Sequence, residues 1–475
     1  MQVVPPSSHA GETFEGGLRL AFIWRIAFVA ALGGLLFGYD WVVIGGAKPF
    51  YEAWFHLHSA VLIGWANSCA LIGCFAGSLL AGRLSDSLGR KKVLMFSALL
   101  FAISSVFTGW TYSFVSFISW RIVGGFAIGL ASNVSPMYIA EISPAAWRGR
   151  LVSLNQLAIV IGILAAQVAD WCIADRVPEN ATEAMIAASW NAHYGWRWMF
   201  TAVALPAIVL LLTAPFIPES PRWLVGRGNL TAAQDVLARI GGPEYGAREL
   251  ASIRGSLGGL VEKHDWRLIF SPKIRKVLLI GIGLVVLQQA SGINVLFNYA
   301  EEVYRSAGYG VSEILFNIVV TGTINLIFTL FAMLFVDRFG RRPLMLIGCL
   351  GVAISHLAVA LAFRLKLPGI WVLTLTLCAI ACYAMTLAPV TWVLITEIFP
   401  NRVRASAVAV SVAALWVASF GLTYSFPLLN QRLGTGGTFC AYGVICLVGA
   451  AFVYMAIPET KGRSLEQIED AEARG

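Results

Sequence analysis

Apolar residues in this chain come in long uninterrupted runs. An α-helix needs about 20 largely apolar residues to cross a bilayer. Runs of that length predict twelve spans, at approximately 23–46, 59–82, 93–111, 114–138, 150–172, 196–217, 274–300, 312–336, 343–363, 370–397, 404–427 and 438–457. The one long polar interval, 218–273, separates two sets of six. The expected fold is an all-α membrane protein of two six-helix bundles, 23–217 and 274–457, joined by short linker helices at 218–273 and flanked by tails at 1–22 and 458–475. The first 22 residues are polar and lack a signal peptide's apolar core, so the first run is expected to stay as a span.

Charge sets the orientation. Place the N-terminus, the polar interval, the C-terminus and the connections after even-numbered spans on one side. That side then holds 26 of the 34 Lys and Arg residues. The other side holds seven: Lys48, Arg176, Arg197, Arg305, Arg364, Lys366 and Arg432. Only Arg121 falls in the interior of a predicted span, away from its boundaries. Basic residues are retained in the cytoplasm, which predicts that both termini, the linker and both tails lie inside. A bacterial inner membrane is the expected location.

Composition agrees. The chain is 58% hydrophobic and 13% charged, with mean hydropathy +0.74, where a soluble domain carries about a quarter charged residues. The net charge of +8 is dispersed as topology signals between spans and forms no nucleic-acid-binding face. The eight cysteines fall mostly inside apolar runs without metal-like spacing and read as packing residues. The six histidines show no ligand spacing, and only His356 lies within a span. No phosphate-binding loop and no clustered catalytic groups are visible, so neither an enzyme, a nucleotide-driven pump, a metal nor a cofactor is expected. A monomer is expected.

The two sets of six are related. "DSLGRKK" (Asp86–Lys92) recurs as "DRFGRRP" (Asp337–Pro343), "AEISPAAWRGR" (Ala140–Arg150) as "TEIFPNRVRAS" (Thr396–Ser406), and "PESPR" (Pro218–Arg222) as "PETKG" (Pro458–Gly462), at offsets of 251, 256 and 240. Three paired motifs in one order mark two similar halves. With an even number of spans each, the halves share an orientation, as a parallel repeat about an axis along the membrane normal.

These paired loops, together with "PESPRWL", "QQASGIN" and "PETKGRSLEQIE", resemble the sugar porters of the major facilitator superfamily from about residue 25 to 470. The pattern is nearest to the bacterial D-xylose:proton symporter branch, with the animal glucose facilitators further off. The resemblance implies a central cavity between two halves that opens to either side in turn.

One acid stands out in the first span. Asp40 in "LLFGYDWVVIGG" is the sole carboxylate from Ile26 to Ala47, at a cost of roughly 2.5–3.5 kcal/mol on insertion scales. Helix rise of about 1.5 Å per residue puts it roughly 22 Å above Arg25. The same arithmetic puts Arg121 roughly 10 Å below the outer surface, at a similar depth in a core about 30 Å thick. The two are expected to pair, each offsetting the other's desolvation. A pair of this kind either locks two helices or titrates and biases a two-state transporter. The resembling symporters have an acid and an arginine at the matching positions, whereas the facilitators carry asparagine at the first, which implies proton symport.

The second half offers amides where a cavity would be: Gln288, Gln289 and Asn294 in the seventh predicted span and Asn325 in the eighth, with Gln156 from the fifth. An amide presents a donor and an acceptor at the spacing of adjacent sugar hydroxyls, and the absence of central charge in that half favours a neutral ligand. Gln288 and Asn294 would face about 240° apart on a regular helix; Gly292 supplies a breaker that would bring them together. Trp392 and Trp416 offer ring faces to a pyranose. The resemblance implies sugar contact for Gln156, Gln288, Gln289, Asn294, Trp392 and Trp416, and less securely for Asn325. It also shows departures, since Ile163 and Leu415 stand where the xylose symporters have glutamines and Asn298 where they have tyrosine. The expected partners are therefore a neutral monosaccharide (xylose, glucose or similar, with an inositol-like polyol open), a proton and the lipid bilayer.

The cytoplasmic motifs place acids and bases around tight turns. Asp86, Arg90, Glu141, Arg148 and Glu219 in the first half are matched by Asp337, Arg341, Glu397, Arg404 and Glu459 in the second. Such a network can favour one conformation by a few kcal/mol, and the resemblance implies a latch that closes the inside in the outward-facing state.

Overall fold

The computed structural model describes residues 17–178, 181–258, 271–335, 339–400 and 403–457, and within them every assigned element is helical. The spans run Leu20–Phe55, Ala60–Leu88, Arg90–Gly109, Phe114–Ile142, Arg148–Ile173 and Asn191–Phe216 in the first half. Ile274–Asn298, Val311–Phe335, Arg341–Arg364, Gly369–Ile395 and Ser406–Ala456 follow in the second. The last of these is 51 residues long, more than twice what a crossing needs, and it is broken at Gly434, whose φ is 70°. Past that point Gly436 meets Phe363, Gly443 meets Leu357, and Arg342 donates to the Tyr454 carbonyl. The chain thus runs back along span nine, and the described residues make twelve crossings, as the hydrophobic runs predict.

Boundaries depart from expectation in two places. Span one was expected to end at 46 but continues as helix through Pro49 to Phe55, so Lys48 lies inside it instead of in an outer loop. Span six begins with a π-helical turn at Asn191–Gly195 and carries Arg197 inside it. Both cations are buried, which corrects the expectation that Arg121 alone is embedded. Arg197 is held by position: its Nη1 donates to the carbonyls of Gly109 and Thr111 at 2.8 and 2.7 Å, while its Nη2 has no hydrogen-bond partner. A cation there complements the unsatisfied carbonyl end of span three.

Within the first half, small residues let backbones touch. A Cβ at Gly38 would collide with the Ile159 carbonyl, and one at Gly125 with the Ala70 carbonyl. Such contacts draw span five onto span one and span four onto span two, the close packing that apolar helices need in lipid. Among the cysteines, Cys69, Cys74, Cys349 and Cys446 are buried, and all eight are free.

The linker docks on the inner end of the first half. Ser220 caps the helix Pro221–Gly226, and the longer helix Leu230–Gly258 bends at Gly241 and Gly242. Leu224, Val236 and Ile240 join Ile23 and Ile217 in a small apolar cluster there. Arg19 N donates to the Ile240 carbonyl at 2.8 Å. The latch expectations for Asp337 and Glu459, and the tail 458–475, lie outside the described residues.

Contacts between the halves gather toward one side. In the charge-derived orientation these residues lie toward the outer ends of their spans. Gly45 abuts the Phe297 carbonyl, Gly64 the Tyr424 carbonyl, and Gly322 the Gln167 amide. Beyond them, Val177 N donates to Ser312 Oγ at 2.8 Å. The halves are therefore clasped at the ends that the charge distribution is expected to place outside.

Candidate functional site

Asp40 and Arg121 meet as the helix arithmetic requires. Arg121 Nη1 donates to Asp40 Oδ1 at 3.0 Å, and both residues are 3% exposed. The guanidinium also lies over the Phe200 ring, 5.4 Å from its centroid. The contact is single-point: Asp40 Oδ2 and Arg121 Nε have no hydrogen-bond partner. Removing two such ions from water costs several kcal/mol each, which only mutual attraction offsets. One carboxylate oxygen is left free to take a proton.

The amides of span seven form a chain. The helix ends at Ala290, Gly292 sits at φ 81°, and a second helix starts at Ile293. That left-handed turn, which a side chain adopts only with strain, swings Asn294 back over the preceding turn. Asn294 Nδ2 donates to Gln289 Oε1 at 2.5 Å, and Gln289 Nε2 donates to Gln288 Oε1 at 3.3 Å. Gln288 Nε2 reaches the Ala388 carbonyl at 3.5 Å. The breaker predicted at Gly292 thus unites residues that a regular helix would separate. His356 Nε2 lies 2.9 Å from the Ser291 carbonyl and holds the break against span nine.

The remaining sugar-contact candidates are less concentrated. Trp416 is buried, with ring centroids of Phe37 and Trp41 each 6.2 Å away, so an aromatic group spans the two halves. Asn325 is buried, Gln156 is half-buried, and Trp392 is 41% exposed. None of these three hydrogen-bonds to the amide chain. Asn298 is buried and Leu415 likewise.

At the inner ends the repeat is visible in three dimensions. Arg90 grips Glu141 through a hydrogen bond from Nη2 to Oε1 at 3.0 Å and an ionic contact between Nε and Oε2 at 2.9 Å, and Ser220 Oγ donates to Glu141 at 2.5 Å. Glu219 accepts from the backbone N–H groups of Arg90 and Lys91 at 3.0 and 3.2 Å. It thereby caps span three beside Gly89, whose φ is 95°. The repeat-related pair in the second half, Arg341 and Glu397, is 3.4 Å apart. Asp86 adds a bond to Arg90 at 3.3 Å, while Arg148 and Arg404 donate to the carbonyls of Ala140 and Phe399. The Arg90–Glu141 and Arg341–Glu397 pairs each join residues of a single half.

Two groups of buried ions were missed. Asp170 in span five is fully buried against Gly46 of span one, and neither carboxylate oxygen has a hydrogen-bond partner. The signal that singles out Asp40, a carboxylate inside a predicted span, was present there too. The second group surrounds Lys48 and joins Glu52 to Glu301 and Glu302 across the halves.

Comparison with known proteins places the whole chain. The family described as "Sugar (and other) transporter" matches residues 26–471. The D-xylose-proton symporter of Escherichia coli is 38% identical over 94% of this chain and 95% of its own. The arabinose-proton symporter of Bacillus subtilis is 36% identical over 95% of each. Among solved structures, an inward open conformation of the xylose transporter of E. coli superposes with a TM-score of 0.83 at 36% identity, covering 94% of this chain and 99% of that one.

Proposed function

We propose, from the premise that the chain belongs to the sugar transporter family, that it carries a neutral monosaccharide inward together with a proton by alternating access. The observation that carries this reading is the Asp40–Arg121 pair: a buried carboxylate held by one bond, with its second oxygen free. With the outer side open, a proton from outside takes the carboxylate of Asp40 and releases Arg121. The neutral acid no longer needs its partner, so the barrier to rearranging span one against span four falls. After the halves rock to the inward-facing arrangement, proton loss to the cytoplasm lets the pair re-form. Only a difference in proton affinity between the two states can tie the gradient to their populations.

Sugar recognition is assigned to the amide chain Gln288–Gln289–Asn294 and the face of Trp416. The amides present alternating donors and acceptors to vicinal hydroxyls, and the indole packs on C–H groups. Apolar Ile163 and Leu415 leave fewer amide partners than the resembling symporters offer, which favours a ligand class wider than xylose: an aldohexose or an inositol-like polyol. The charge distribution supports both termini lying inside, and the bacterial relatives support location in an inner membrane.

The test is counterflow in proteoliposomes against a panel of pentoses, hexoses and inositols, followed by uptake with and without an inward proton gradient. One sugar is expected to exchange without a gradient and to accumulate only with one. Equal accumulation in both conditions would remove the coupling.

A further inference from the structure

The cluster around Lys48 is not part of the proton or sugar site, yet it is the most charged buried region described. Lys48 is 1% exposed and lies within span one. Its Nζ bonds Glu52 on the next turn at 2.8 Å, Glu301 of the other half at 3.4 Å, and Glu302 of the other half. Arg305 holds the second oxygen of Glu301 at 2.7 Å. The same ammonium lies 5.8 Å from the ring centroid of Tyr299, whose hydroxyl donates to the Thr423 carbonyl of span eleven at 2.6 Å. Just inward of it, Gly45 brings the backbone of span one against the Phe297 carbonyl.

We infer that Lys48 is the positioning residue of an ionic outer gate, a single ammonium whose capture by Glu301 and Glu302 keeps the outer ends of the two halves together. The inference rests on the alternating-access reading and adds to it the contact that must break for outward opening. An ion pair inside one half survives a rocking motion. One shared between halves does not, so it sets the relative population of the two states.

The chemistry is asymmetric. Three carboxylates surround Lys48, with Arg305 as the other cation. Removing the ammonium leaves carboxylates facing one another in a largely buried site, and breaking such a pair from one side is far more damaging than replacing it whole. The outer ends should then separate. Exchanging the charges instead keeps an attraction across the gate. Both outcomes follow from the sign of the charges and not from side-chain volume.

The experiment is amide hydrogen exchange on the full protein in lipid nanodiscs, without sugar and without a pH gradient. Its outcome therefore stands apart from the uptake assays. In Lys48→Met, exchange of 41–55 and 293–306 is expected to quicken roughly tenfold or more while 83–92 and 139–150 slow, because closing one side opens the other. In K48E/E302K, protection on both sides should return toward that of the natural protein. A K48M protein with unchanged outer exchange overturns the inference, and so does one that exchanges faster at both ends, the mark of general loosening. Should K48M not fold, the double variant decides. Natural protection in it supports the gate, and open outer ends or failure to fold overturn it.

Discussion

Span one carries two buried charges eight positions apart, Asp40 and Lys48, and the structure uses them differently. Asp40 finds its partner on span four, within the same half, through one bond with a carboxylate oxygen to spare. Lys48 finds two of its three partners in the other half, 253 and 254 positions away. A pair within one half is not pulled apart by the rocking itself; protonation of Asp40 opens it and proton loss re-forms it, so what the rocking changes is solvent access and therefore its hold on a proton. A cluster between bodies is made or broken by the rocking itself. The first arrangement suits energy coupling and the second suits control of conformation, although both are buried salt bridges.

The largest effect expected from this contrast is at Asp40. Asp40→Asn should abolish accumulation against a gradient in proteoliposomes, leaving the internal sugar at the external concentration at every external pH, while counterflow survives. A variant that still concentrates sugar would place the coupling elsewhere, with Asp170 as the next carboxyl to test.

Next comes the arginine. Arg121→Met strands a carboxylate in hydrocarbon and should destabilise the folded protein by about 3–5 kcal/mol, read as lowered thermal stability in detergent. Asp40→Asn added to it should recover most of that loss. Lack of recovery would mean the two side chains act independently.

Smaller effects belong to the sugar site. Gln288→Ala should weaken binding of the transported sugar about tenfold by calorimetry, the equivalent of about 1.4 kcal/mol for one lost hydrogen-bonding partner, with the proton dependence of uptake unchanged. Gly292→Ala forces a side chain into a left-handed conformation and against the Tyr442 ring. A cost of about 1 kcal/mol or more is expected, seen as several-fold weaker binding. Glu141→Gln should do least. It retains the bond from Ser220 and loses the ionic half of the Arg90 contact, so net uptake should change by about two- to threefold with affinity intact.

Much of this was legible in the sequence because it depends on short-range properties. The spans follow from run length and hydropathy, the repeat from motifs at a near-constant offset, and the Asp40–Arg121 pair from helix rise plus the rule that a lone buried ion needs an opposite one. The break at Gly292 was legible as a residue type, and the structure supplied its consequence, a hydrogen-bonded chain through Gln288, Gln289 and Asn294. The burial of Lys48 was not legible. Hydropathy ends span one where charge appears, whereas the helix continues because Glu301 and Glu302 arrive to satisfy the lysine.

Sequence alone therefore determined the crossings, the expected orientation and the pairing of the one mid-span acid with the one mid-span arginine, all consequences of moving polar groups into hydrocarbon. Tertiary structure decided which of the charges near helix ends are buried and whether each is tied within a half or across the divide. The physical reason is that desolvation is paid locally along a helix, while compensation comes from whatever the fold brings alongside, at separations that no pattern in the chain records.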